Sequence, residues 1–122
     1  MNILVIDDHP EEIVPLIRIA FRGETIVCAS DLMAASHEIR EKKFDLIILD
    51  GNLGQHSPMT GPEWLRASKE NGAALPPVVM CSADKHHLDA GIAAGAVGAI
   101  DKRNFKSIFD DFEALKKFAP NS

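Results

Sequence analysis

The chain has 122 residues, a length that suits one compact domain with a substantial core. Its hydrophobic fraction of 46% and charged fraction of 25% are those of an ordinary globular protein. The net charge of −5 argues against a nucleic-acid partner, because phosphate contacts need clustered Lys and Arg and the thirteen basic residues here are scattered.

Apolar runs in this chain are short, and none approaches the ~18 residues that a membrane span needs. The first ten residues, MNILVIDDHP, lack the basic region of a signal peptide. We therefore predict a cytoplasmic protein that does not bind a membrane. Cys28 and Cys81 both lie in apolar runs, and we expect both to be free, buried thiols.

The first predicted strand covers residues 3–6 and ends on Asp7 and Asp8. A helix follows, because an apolar stripe recurs at helical spacing and Gly23 can end it. The stripe consists of Ile13, Leu16, Ile17, Ala20 and Phe21. Pro15 lacks an N–H and crowds the preceding turn, so we expect this helix to start late or to bend.

The second predicted strand covers residues 25–29, and the third covers residues 46–49 and stops on Asp50. Between them Leu32, Ala35 and Ile39 form a second helical stripe. Either Ser30 or Asp31 can cap its first turn, since both side chains accept hydrogen bonds from backbone N–H groups.

The third predicted helix opens at Pro62, with proline at the first helical position and Trp64 and Leu65 behind it. The fourth strand covers residues 78–81 and is followed by Ser82. Leu88, Ile92 and Ala96 predict a fourth helix, which Gly91 and Gly95 weaken. We expect the histidines at its start, His86 and His87, to be exposed.

The fifth predicted strand covers residues 96–100 and runs into Asp101 and Lys102. A strong apolar stripe predicts the last helix, which Asn104 would cap. Its members are Phe105, Ile108, Phe109, Phe112 and Leu115. We expect a single domain over residues 1–119 and a frayed tail over residues 120–122.

The strands alternate with helices and mostly lack strict polar alternation, which is typical of strands that are covered on both faces. This pattern predicts a doubly wound α/β fold, (βα)5, with one five-stranded parallel sheet and right-handed crossovers. In such sheets ligands bind beyond the carboxyl ends of the strands. Asp7, Asp8, Asp50, Ser82 and Lys102 all follow predicted strands, so we expect them to meet at one edge.

Taken singly, each of these side chains has an ordinary explanation, as a helix cap, a turn residue or a solvated charge. Together, three neighbouring carboxylates repel one another and favour a bound cation. An oxygen-rich site of this kind suits Mg²⁺.

Four segments carry a family resemblance: ILVIDDHP, DLIILDGNL, PVVMCSA and AGAVGAIDK. In order and spacing they resemble the receiver (CheY-like) domain of two-component response regulators, over nearly the whole chain. The resemblance implies a flavodoxin-like sheet with strand order 2-1-3-4-5. It also implies a stand-alone phosphoprotein of signal transduction, which takes a phosphoryl group from phosphohistidine.

By resemblance, Asp50 is the phosphoacceptor, and Mg²⁺ is held by Asp7, Asp8, Asp50 and the backbone carbonyl of Asn52. Ser82 would hydrogen-bond one phosphoryl oxygen, and Lys102 would pair with another. The side chains of Asn52 and Asp84 would flank the phosphoryl group and orient a water, so we predict a short-lived phosphoryl group.

The implied partners are a sensor histidine kinase or a histidine phosphotransfer protein upstream, and an unknown protein target downstream. The chain would be no enzyme beyond catalysing its own phosphorylation and dephosphorylation. The alternative is a receiver-like interaction module that signals independently of phosphorylation. A phosphatase of the dehalogenase type fits less well, since that class has an acid where this chain has Asn52.

Three positions depart from the family pattern. Ala99 stands three residues before the lysine, where members usually carry the Tyr or Phe of a conformational relay. Arg103 follows the lysine in place of the usual proline, so a cis peptide is not expected there. Gly61 lies eleven residues after Asp50, which makes the intervening loop longer than usual. We expect His56 in this loop to be solvated, and His9 after the acidic pair to have a capping or solvent role rather than to bind metal.

Overall fold

The computed structural model describes residues 1–120, so residues 121 and 122 of the tail predicted over residues 120–122 lie outside the described residues. Five parallel strands form one sheet in the order β2-β1-β3-β4-β5, which confirms the predicted fold and strand order. The strands are β1 (Asn2–Ile6), β2 (Thr25–Ala29), β3 (Leu46–Leu49), β4 (Val78–Ser82) and β5 (Gly98–Asp101).

Helices connect the strands in strict alternation. They are α1 (Val14–Ala20), α2 (Leu32–Glu41), α3 (Gly61–Glu70), α4 (Lys85–Ala94) and α5 (Ile108–Ala114), with 3₁₀ turns at Pro10–Glu12 and Leu115–Phe118. The late start of α1 is confirmed, because Pro15 lies at its second position, where a missing N–H breaks no helical hydrogen bond. Asp31 caps α2 by accepting a hydrogen bond from the Ala34 N–H. Among residues 1–120, no helix has both the length and the apolar character needed to cross a membrane.

Two apolar layers cover the two faces of the sheet, and alternate residues of β1 point into each. Ile3 and Val5 belong to the layer under α1 and α5, whereas Leu4 and Ile6 belong to the layer under α2, α3 and α4. All four side chains are fully buried. The sheet is therefore covered on both faces, and in such folds ligands bind beyond the carboxyl ends of the strands.

The edge strands differ from the prediction. Cys28 is exposed rather than buried, because β2 lies at the edge of the sheet and is only partly covered. Cys81, in the interior strand β4, is buried, and burial raises the pKa of its thiol to about 12. β5 begins at Gly98 rather than at residue 96, because Gly95 takes a left-handed conformation (φ +113°) and ends α4 there.

Three helix details also differ. Gly61 rather than Pro62 is the first residue of α3, and Thr60 caps it. Ile92 on α4 is 47% exposed instead of facing the core. Residues 105–107 form turns instead of helix, so α5 begins at Ile108, Ser107 replaces Asn104 as the cap residue, and Phe105 is 83% exposed.

Candidate functional site

The predicted site residues meet at the carboxyl edge of the sheet. Backbone hydrogen bonds continue one residue beyond the strands: the Asp7 N–H donates to Ala29, the Asp50 N–H to Ile6, and the Lys102 N–H to Ser82. This register fixes where each side chain leaves the sheet. Asp7, Asp50 and Ser82 are the buried polar residues among the described part of the chain.

Lys102 supplies the positive charge of the cleft. Its Nζ lies 2.8 Å from Asp7 Oδ2 and 3.4 Å from Asp50 Oδ2. Burial by itself would lower the pKa of the Lys102 ammonium. The hydrogen bond to Asp7 and the charges of both carboxylates outweigh this effect and raise the pKa above its usual value. Lys102 is therefore a fixed cation.

Asp50 is short of compensating charge. Burial, followed by the negative charge of Asp7, raises the pKa of Asp50 to about 7, although Lys102 opposes the shift. A carboxyl group with this pKa is a better base and nucleophile than an ordinary carboxylate, and it is stabilised by any further cation.

The donor set fits a hard divalent cation. One carboxylate oxygen from each of Asp7, Asp8 and Asp50 lies within 4.8 Å of the other two. Asp8 is more exposed than the other two acids, with 26% of its side chain accessible, so the group opens toward solvent. Oxygen ligands around a site that keeps access to water are what Mg²⁺ and Mn²⁺ prefer. The predicted grouping of the three acids is thus confirmed.

A cleft of about 340 Å³ lies beside the three acids. Its other polar lining residues include His9, Asn52, Ser82, Asp84, His87 and Lys102. The cleft is large enough for a phosphoryl-sized group with several waters. His9 is exposed, as expected, and its ring lies 3.6 Å from Asp8 Oδ2.

Ser82 and Asp84 are joined by a hydrogen bond. Ser82 Oγ accepts from the Asp84 N–H at 3.2 Å, which leaves the hydroxyl proton available for an oxygen atom in the cleft. Asp84 is the cap of α4, since its Oδ1 accepts from the His86 N–H at 2.8 Å. Its carboxylate thus stands at the rim of the cleft with a defined orientation.

The long segment after Asp50 forms an ordered turn. Its base is closed by the Gly61 N–H, which donates to the Gly51 carbonyl at 2.9 Å. Asn52 Oδ1 accepts from the N–H of Gly54, whose positive φ of +94° suits glycine. The amide oxygen of Asn52 is therefore engaged within the turn, while its backbone N–H lies 3.4 Å from Asp50 Oδ1. His56 is exposed, as expected, and does not line the cleft.

The sequence prediction missed His87. Both histidines at the start of α4 were expected to be exposed. His86 is, but the His87 side chain is only 18% exposed and lines the cleft. The structure shows its contact at Gly51: a Cβ atom at this position would lie 2.3 Å from His87 Cβ, a distance that real atoms do not adopt. Only glycine fits after Asp50 because the histidine occupies that space.

The departures from the family pattern are visible at β5. Ala99 is exposed on this strand. All peptide bonds in residues 1–120 are trans, including the bond before Arg103, as predicted. The Arg103 guanidinium makes two hydrogen bonds with the Asp101 carboxylate, of 3.1 and 2.8 Å.

A family model described as the response regulator receiver domain matches residues 3–111. No curated protein sequence matches the chain. Three solved structures resemble it in fold. The phosphorylated cyanobacterial phytochrome response regulator RcpA is 22% identical, with a TM-score of 0.76 over 96% of this chain and 91% of that one. The Mn²⁺-bound form of response regulator Rcp1 is 21% identical, with a TM-score of 0.74 over 96% and 92%. A response regulator from Thermotoga maritima is 24% identical, with a TM-score of 0.73 over 96% and 95%.

Proposed function

This chain belongs to the response regulator receiver domain family, and we propose that Asp50 accepts a phosphoryl group from a phosphohistidine in two-component signalling or a phosphorelay. The observation that carries the proposal is the placement of Lys102 Nζ, 2.8 Å from Asp7 and 3.4 Å from Asp50. Three acids and one ammonium in an open cleft are the groups that phosphoryl transfer to a carboxylate needs.

In the transfer step, a carboxylate oxygen of Asp50 attacks phosphorus and forms an acyl phosphate. The P–N bond of the phosphohistidine breaks, and its electron pair stays on the imidazole nitrogen of the partner, which then takes up a proton. The raised pKa of Asp50 makes its carboxylate a stronger nucleophile. The Lys102 ammonium balances charge on one phosphoryl oxygen, and the Ser82 hydroxyl donates to another.

Asp7, Asp8, Asp50 and the backbone carbonyl of Asn52 would hold Mg²⁺. When bound, the ion would neutralise charge on the transferring phosphoryl group. Dephosphorylation would fall to the cleft rim, where Asn52 and Asp84 orient water. The Asp84 carboxylate is the more available of the two side chains to a water, because 55% of it is accessible to solvent. The Asn52 amide oxygen already accepts a hydrogen bond from the Gly54 N–H.

The phosphoryl donor would be a sensor histidine kinase or a histidine phosphotransfer protein in the cytoplasm, and the output would go to a separate protein target. The alternative is an interaction module that works without phosphorylation. It does not explain why Lys102 contacts two buried acids. Two buried carboxylates beside one ammonium cost stability, so a purely structural module would gain from losing them.

The test is labelling with a small donor. Incubated with Mg²⁺ and acetyl phosphate, the wild-type chain should gain the mass of one phosphoryl group, and Asp50→Asn should gain none. Asp89→Asn, which alters an exposed acid on α4, serves as the control and should be labelled like wild type. A wild-type chain that takes no label, or an Asp50→Asn variant that does, would refute the proposal.

A further inference from the structure

His87 packs against the residue that follows the phosphoacceptor. It lies in the first turn of α4, and its side chain occupies the space into which a side chain at Gly51 would point. An added Cβ at Gly51 would meet Cβ, Cγ and Nδ1 of His87 at 2.3, 2.6 and 2.7 Å. The Nδ1 edge of the ring therefore faces the backbone at Gly51. The backbone between Asp50 and Asn52 is thereby held from the α4 side.

The Nδ1 atom of His87 is buried and has no hydrogen-bond partner among the described residues. An unsatisfied buried polar atom costs about 1–3 kcal/mol, so such atoms are uncommon without a reason. The nearest acid is Asp84, whose Oδ2 lies 3.8 Å from Nδ1, just beyond hydrogen-bonding distance. A small rotation of the Asp84 carboxylate would close this gap.

The two oxygens of Asp84 lie beside neighbouring histidines, and only one of them accepts a hydrogen bond. Oδ1 accepts from the backbone N–H of His86, and Oδ2 faces the ring of His87. Asp84 and His87 both line the cleft, whereas the side chain of His86 does not. The Nδ1 edge of the His87 ring thus lies against Gly51 and also faces the rim carboxylate of Asp84.

We propose that His87 is a positioning residue for hydrolysis of the acyl phosphate, acting through Gly51 and Asp84. This inference rests on the proposed function of Asp50. In hydrolysis, a water oxygen attacks phosphorus and the P–O bond to Asp50 breaks. The electron pair returns to the Asp50 carboxylate, and the water proton leaves with the phosphate product or passes to solvent. His87 touches none of these atoms; it fixes the Asp84 carboxylate that orients the water.

The experiment measures the lifetime of the acyl phosphate after labelling with acetyl phosphate and Mg²⁺ and removal of the donor. His87→Ala should lengthen the lifetime about threefold to tenfold, the effect of losing one orienting hydrogen bond. His87→Asn, whose amide nitrogen can occupy the Nδ1 position, should restore most of the wild-type rate. His87→Phe keeps an aromatic ring without a nitrogen and should not restore it.

His86→Ala is the matched control, since it removes the adjacent, exposed histidine from the same turn of α4. It should decay like wild type. Asp84→Asn keeps a good cap residue but removes the carboxylate. In that background His87→Ala should have little further effect, because two residues that act through one contact are not additive.

Equal lifetimes for wild type and His87→Ala, or full restoration by His87→Phe, would overturn the inference. The comparison of His87→Asn with His87→Phe decides the matter even if His87→Ala does not fold, since both keep a side chain in the space. A failure of the proposed function has a different signature, because then the wild-type chain takes no label at all, and the inference falls with it.

Discussion

At the scale of single residues, the cleft holds more negative charge than its lysine can balance. Asp7 is fully buried, Asp50 is nearly so, and both share the Lys102 ammonium. The folded protein therefore keeps a proton on Asp50 up to about pH 7, whereas the unfolded chain releases it near the ordinary value of 3.8. Between these values the folded state binds more protons, so stability falls as the pH rises through this range.

Asp50→Asn should relieve this cost, because the amide does not ionise. In magnesium-free buffer at pH 8 we expect the variant to be more stable than wild type by about 2 kcal/mol, a figure reduced from the full pKa shift because the site is partly solvated. Below pH 4 the difference should vanish. Urea unfolding of both proteins across this range measures it.

Asp89→Asn again provides the comparison, since this acid is exposed and lies outside the cleft. Its stability difference from wild type should not change with pH in the same way. If Asp50→Asn were less stable than wild type at pH 8, the cleft would not be short of positive charge, and the case for a bound cation would weaken.

Single residues also mark the limit of prediction from sequence. Asp7, Asp50, Ser82 and Lys102 could be predicted because each lies at the end of a strand or directly after it, and parallel strands deliver their ends to one edge. His87 could not, because its contact with Gly51 depends on how close α4 lies to the sheet. Helical periodicity gives the face of a helix but not its distance from the strand below.

At the scale of elements, the apolar pattern of the sequence predicts the bounds of the first four strands but not which strands lie at the edges of the sheet. β1, β3 and β4 lie inside the sheet, and their apolar runs match the structure to within one residue at either end. β2 has the predicted bounds, but it is an edge, so Cys28 is exposed, whereas β5 starts late because Gly95 ends α4. Composition does not distinguish a half-covered edge strand from a central one, because the order of the strands is a tertiary property.

The close approach of α4 to the sheet leads to a prediction at Gly91. Replacing glycine by alanine inside a helix ordinarily stabilises it by about 1 kcal/mol. Here the new Cβ would lie 2.2 Å from Cγ and 2.5 Å from Sδ of Met80, a fully buried side chain. Overpacking of this kind costs about 1–3 kcal/mol, so Gly91→Ala should lower the free energy of unfolding overall.

Gly98→Ala is the matched control on the neighbouring strand. Its Cβ would meet Val79 at 3.8 Å, an ordinary van der Waals distance, and the stability should hardly change. Urea unfolding of both variants measures the contrast. A Gly91→Ala protein more stable than wild type would mean that α4 can move away from β4, which would also loosen the contact of His87 with Gly51.

At the scale of the whole molecule, the question is how far a change at Asp50 travels. Receiver domains usually carry a Tyr or Phe three residues before the lysine. Its ring moves inward when the hydroxyl swings to the phosphoryl group. In this chain the position holds the methyl group of Ala99, which is exposed on an edge strand. The Ser82 hydroxyl is instead linked to the Asp84 N–H, and Asp84 caps α4. A structural change that starts at Asp50 should therefore reach the first turn of α4 and go no further.

Beryllofluoride with Mg²⁺, a mimic of the acyl phosphate, should reveal this limit in amide chemical shifts. We expect shifts at the strand ends and in the first turn of α4, at residues 7–9, 50–54, 82–87 and 101–103, and none along Ile108–Ala114. Asp50→Asn should show no shifts, since the mimic needs the carboxylate. Because tight packing of Gly91 on Met80 resists displacement of α4 as a body, a local response is the one that the core allows. Shifts throughout α5 would instead indicate a global switch that does not need the aromatic ring, whereas a confined response favours a phosphorelay carrier.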